Sequence, residues 1–154
     1  MPGVVTRFEI GPITFPVGVV VTGGQLLQPG SGATAGQLII GTDGSLTIFG
    51  VAKTDAAPEP AVATTPSQNL DIHIPRGHVA VAHIGSFDLT ATGAIAFGDY
   101  VGAAANGTVK TIAAAGAAFV QAEINNNTRG IIGRCIATAG IANGVRGLIR
   151  LSIR

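Results

Sequence analysis

Charge is what this sequence has least of. Asp, Glu, Lys and Arg together make up 11% of its 154 residues, against about 25% in an average soluble protein. A surface so short of charge is poorly protected against association, and here Gly, Thr, Ser, Asn and Ala must cover it. That predicts a surface partly covered by neighbouring subunits. The formal net charge is +1, which supplies no long-range field to draw in nucleic acid or anionic lipid. Trp is absent, and one Tyr with six Phe leaves little for stacking bases or sugars. Cys135 stands alone, which excludes an intrachain disulfide and fits a reducing compartment. Its neighbours Ile131, Ile132 and Ile136 predict a buried, inert thiol. No apolar run approaches the ~20 residues of a membrane-spanning helix, and Met-Pro-Gly-Val-Val does not open like a signal peptide.

What the chain does have is glycine, 23 residues of it, within a 47% hydrophobic composition. The apolar content is ample for a folded core, while the glycines rarely leave room for a helix. Between them run short stretches of Val, Ile, Thr and Phe, the residues that suit strands. The length favours one compact body with a single core. Residues 1–16 carry Pro2, Pro12 and Pro16 and read as an extended arm, because proline cannot donate to a sheet ladder. The body is expected over 17–154, as a small all-β barrel or sandwich. Its strands are expected at 17–21, 25–28, 37–40, 46–52, 79–84, 87–90, 95–101, 108–112 and 131–137. Residues 113–121 suit either a helix or a small-residue strand. Asp43-Gly44, Asn106-Gly107 and Asn143-Gly144 are hairpin-type turns, and the proline-bearing stretch 54–69 is a long loop. From Val145 the chain alternates, with Ile149, Leu151 and Ile153 on one face and Arg146, Arg150 and Arg154 on the other. Expected core positions are Val19, Val21, Leu38, Ile40, Ile48, Val81, Ile132, Ile149 and Leu151.

A faint internal repetition is present. Gly24-Gln25-Leu26-Leu27 leads to Phe49-Gly50-Val51-Ala52, and Gly98-Asp99-Tyr100-Val101 leads likewise to Ile132-Gly133-Arg134-Cys135. Two related β units would explain it, and so would coincidence in a Gly/Ala-biased chain. The polar residues do not assemble a chemistry. His73, His78 and His83 are spaced by five, which puts successive members on opposite faces of a strand and cannot share a metal. They read as solvated or loop histidines. The stretch Gly30 to Gly36 lacks the Lys-Ser/Thr ending of a phosphate loop. The eight acids are scattered, with no acid/base pair among them. Neither catalysis nor a cofactor is expected. The arginine row of the last strand has two readings: a solvated or edge-guarding face, or a contact row for acidic or carbonyl groups of a partner.

Several of these segments together resemble a known family. Gly23-Gly24-Gln25-Leu26-Leu27, Phe49 to Ala56, Val79 to Ala82, Gly93 to Val101, Ala104 to Val109 and Ile131 to Cys135 are similar to capsid (head) decoration proteins of tailed bacteriophages over roughly residues 17–154. The resemblance implies a β body, often a homotrimer, on the outer capsid surface of a virion assembled in the host cytoplasm. There it would cement neighbouring copies of the major capsid protein, with no enzymatic activity, no direct nucleic-acid contact and no membrane. An arm with apolar anchors Phe8, Ile10, Ile13 and Phe15 could add a strand to a capsid-protein edge, beside a contact row of Arg146, Arg150 and Arg154. The alternatives are another virion module, such as a head-fibre base or tail component, or a small-ligand-binding β domain.

Overall fold

The structure, a computed structural model, describes residues 13–58, 77–112 and 130–153. Its strands are β1 (Ile13–Pro16), β2 (Leu26–Pro29), β3 (Leu38–Ile40), β4 (Gly50–Ala52), β5 (His78–Ala82), β6 (Ile84–Thr90), β7 (Tyr100–Ala103), β8 (Val109–Thr111), β9 (Gly133–Cys135) and β10 (Arg146–Ser152). Single 3-10 turns, Gly32–Thr34 and Ala105–Gly107, lie between β2 and β3 and between β7 and β8. The all-β expectation is met, as two antiparallel sheets of five strands each.

The two sheets have the same topology. One runs β1-β5-β4-β2-β3 and the other β6-β10-β9-β7-β8, so adding five to each strand number of the first yields the second. The registers agree as well. Leu27 stands opposite Gly50 where Val101 stands opposite Gly133, and Leu26 opposite Val51 where Tyr100 stands opposite Arg134. Even the connections repeat. Val21 and Ala56 form an isolated bridge, as do Ile95 and Ile141. The Thr22 amide donates to Gln25 Oε1 at 2.7 Å, and the Ala96 amide to Asp99 Oδ2 at 3.0 Å. Such agreement in order, register and side-chain bonds settles the repetition as a duplicated β unit. The pairs read from sequence, Gln25 with Asp99 and Gly50 with Gly133, are the structurally equivalent ones.

Each sheet curls, and one parallel bridge (Val17 to Leu38, Ala91 to Val109) draws its third strand back toward its first. That contact stops short of ladder closure, so the architecture is sandwich-like, and the barrel alternative is set aside. Two apolar clusters result rather than one. Val17, Val21, Leu27, Leu38, Val79 and Val81 fill the first unit. Leu89, Ile95, Val101, Val109, Cys135, Ile149 and Leu151 fill the second, joined by Leu26, Ile48 and Val51 from the first. Alternation along β2 divides Leu26 from Leu27: one side chain serves the neighbouring unit and the other its own. Of the expected core, seven positions are buried, while Val19 and Ile40 are half-buried against the first cluster.

Where the arm was expected to end, the chain is already in the sheet. Ile13–Pro16 pairs with β5 over four positions, Ile13 opposite Val81 and Pro16 opposite His78. Proline is tolerated because β1 is an edge strand. Phe15 therefore has a local core to join: its ring meets Phe49 edge-on at 4.7 Å between centroids, a favoured aromatic geometry. Residues 1–12, the loop beyond 58 and the segment 113–121 lie outside the described residues. Because Phe15 is packed and only half-buried, Phe15→Ala is expected to lower stability by about 1–2 kcal/mol. Urea denaturation measures it, and an unchanged midpoint would mean that β1 contributes nothing to the body.

Candidate interaction surface

Among the described residues no group of three His, Cys, Asp or Glu side chains could hold a metal. His83 sits at the joint between β5 and β6, where its Nδ1 lies 2.6 Å from the Phe49 carbonyl oxygen. A carbonyl can only accept, so Nδ1 carries the proton and donates. The ring also packs edge-on against Phe49 at 4.9 Å, which makes His83 a structural histidine. His78 is exposed at the start of β5, and His73 lies outside the described residues. Cys135 is fully buried.

What the described surface offers instead is apolar area where the second unit meets the first. A groove of about 690 Å³ runs there, lined by Leu46 and Ile48 of the first unit and by Tyr100, Ile131, Arg134 and Arg150 of the second. Tyr100, which opens β7, is 50% exposed, and Ile131, just ahead of β9, is 36% exposed. Phe97, in the turn leading into β7, is 62% exposed. The guanidinium of Arg134 lies over the Tyr100 ring, 4.7 Å from its centroid, a cation–π contact. Its Nε–H donates to the Gly98 carbonyl at 2.8 Å, which fixes the side chain. Arg150 is the cross-strand neighbour of Arg134. The one salt bridge among the described residues is elsewhere, between Lys110 and Asp43. The groove thus pairs an apolar lining with two cations that can donate to carboxylate or carbonyl partners.

The anchors read from sequence fall in separate places. Ile13 and Phe15 are in β1 of the first unit, the former 54% exposed and the latter packed inward. Arg146 and Arg150 occupy the outward face of β10 as the alternation predicted. β10, however, lies between β6 and β9, so its arginines guard no edge. Arg146 bridges the units, its guanidinium donating to the Gly23 carbonyl at 3.3 Å, and Arg150 lines the groove. Phe8, Ile10 and Arg154 lie outside the described residues. Sequence reasoning passed over Phe97, Tyr100 and Arg134. The repetition contained the signal: Tyr100 and Arg134 stand where the other copy has Leu26 and Val51.

Fold and surface together define a class of architecture, a duplicated β unit with an open apolar flank. No family model and no curated protein matches the sequence. Among solved structures, the chain is similar to the head fiber gp8.5 N base of bacteriophage phi29. The TM-score is 0.57 at 13% identity, over 94% of this chain and 95% of that one. At that identity the likeness is one of fold, and it runs nearly end to end through both chains.

Proposed function

We propose that this chain is a structural protein of a tailed-phage virion. In this reading it sits on the outer surface of the head, contacts the major capsid protein and cements neighbouring capsid subunits as a homotrimer. The observation that carries the reading is the nearly full-length fold likeness to a phage head fiber base. The charge-poor composition and the open apolar groove with its two arginines support it independently, since both suit a surface that spends its working life covered. The reading gives the protein no catalytic residue and no cofactor, and with a net charge of +1 no direct role on nucleic acid. Assembly in a reducing host cytoplasm suits the buried thiol of Cys135.

A second reading has its own support. The similar chain is itself the base of a head fiber, so this one can serve as the foot of a fibre rather than as cement. Copy number separates the two. Purified protein incubated with expanded heads, washed and quantified by mass spectrometry against the major capsid protein, is expected to saturate a site repeated across the shell. Saturation at a few sites per particle would favour the fibre base. No retention on heads would overturn both.

A further inference from the structure

The duplication turns an exposed face into a question with an answer inside the same chain. In the first unit, the face made by Leu26, Ile48 and Val51 is buried, at 0%, 7% and 1% exposure, because the second unit covers it. The junction is specific. Gln25 donates through Nε2 to the Asn106 carbonyl at 3.1 Å, and the Gly107 amide donates to the Gly41 carbonyl at 3.0 Å. Gly107 has φ +71, and a Cβ there would meet Gln25 Cβ and the Leu26 oxygen at 2.9 Å, so only glycine fits at the contact. Arg146 reaches the Gly23 carbonyl across the same junction.

In the second unit the equivalent residues are Tyr100, Ile131 and Arg134, with Phe97 in the place of Gly23. Tyr100, Ile131 and Arg134 line the groove, and Phe97 is exposed ahead of β7. The surface that covers the first unit's face has its own counterpart on the first unit. By register, Ile13 corresponds to Phe87 and His78 to Arg146. Ile13 and His78 are both exposed. Among the described residues, one half of the internal junction is thus present and exposed on each unit.

We infer that the Phe97–Tyr100–Ile131 face is the seat for a second copy of this chain, which docks its Ile13 and His78 flank there as the second unit docks on the first. The contact is heterologous, joining the tail of one chain to the head of the next, and such contacts close into rings when the rotation permits. A closed ring would carry twice as many β units as chains, with one kind of junction alternating within and between them. This deepens the self-association in the proposed function and is independent of capsid binding.

Crosslinking of the full chain tests it. Phe97→Cys and His78→Cys variants, carried on differently tagged copies, are co-expressed and treated with a short bismaleimide; Cys135 is fully buried and serves as an unreactive background. The expected product joins the two tags, with neither variant crosslinking to itself. Light scattering of Phe97→Glu should show the assembly falling to monomer mass while its circular dichroism melt stays cooperative. Self-crosslinking of Phe97→Cys would overturn the inference in favour of a two-fold contact. An intact Phe97→Glu assembly without the mixed product would overturn it while self-association stood, as when a segment of the same chain covers the face. A wild-type chain that is monomeric in solution and on heads would overturn both.

Discussion

Gly133→Ala is expected to destabilise the protein by about 3 kcal/mol, the upper part of the usual overpacking range. A Cβ at this position would be driven into the carbonyl oxygen of Arg150 on the paired strand, with Leu151 Cδ2 also within 3.0 Å. Backbone on a central strand cannot step aside without disturbing the ladder it belongs to. The duplicated position gives an internal replicate. At Gly50 a Cβ would press on Val81 Cγ1 and lie 2.7 Å from the Ala82 oxygen, and Ala82 is the equivalent of Arg150. Gly50→Ala should therefore cost a similar amount. Gly23→Ala is the control, since its nearest neighbour would be an ordinary 3.5 Å away and the other unit already carries Phe97 there. Denaturant unfolding of the three variants checks this. Equal stability of Gly133→Ala and Gly23→Ala would mean that the β9–β10 approach is wider than described.

Ile149→Ala is expected to cost about 3–4 kcal/mol, within the range for buried large-to-small changes. Ile149 is fully buried, in the second unit's apolar cluster. It pairs with Phe87 on one side and Cys135 on the other, so neighbouring strands hold the vacated space open. Leu148→Ala, one residue away on the outward face and 38% exposed, should cost about 1 kcal/mol or less. A reversed order would mean that the inward face of β10 has been misassigned.

Much of this was legible because alternation and turn residues are local properties. The face of β10 follows from Val145 to Ile153 alone, and Gly44, Gly107 and Gly144 turn with positive φ where Asp-Gly and Asn-Gly pairs stand. Asp43-Gly44, however, closes no hairpin, because β3 pairs with β2 and not with β4. Apolar runs were less faithful. Residues 17–21 read as a strand, yet only Val17 and Val21 are bridged. Likewise 95–101 read as one strand, but Ile95 makes only an isolated bridge to Ile141, the chain turns at Phe97–Gly98, and the strand begins at Tyr100. In both units this connection places buried residues four apart, Val17 with Val21 and Ala91 with Ile95. It plugs the open side of the sheet without running along it, and composition cannot distinguish a plug from a strand. The Leu46–Phe49 run is misleading for a related reason: β4 begins only at Gly50, and Leu46 points into the groove. The candidate surface was the least visible part. An exposed Tyr or Phe looks the same in sequence as a buried one, and only the comparison of equivalent positions separates them.

The identical strand order has a consequence for how the chain reaches its fold. Every described strand ladder closes within its own half, so none of these pairings waits for the far end of the sequence, and the first unit's sheet can form while the second is still being synthesised. The same identity creates a hazard, because either first strand could compete for the slot beside either last strand, the kind of misassembly to which repeated units are prone. The side chains discriminate between them. Phe15 stands opposite Val79 where Leu89 stands opposite Gly147, and Pro16 opposite His78 where Thr90 stands opposite Arg146. A β1 docked on β10 would exchange matched pairs for mismatched ones, in a chain whose two halves otherwise share one plan.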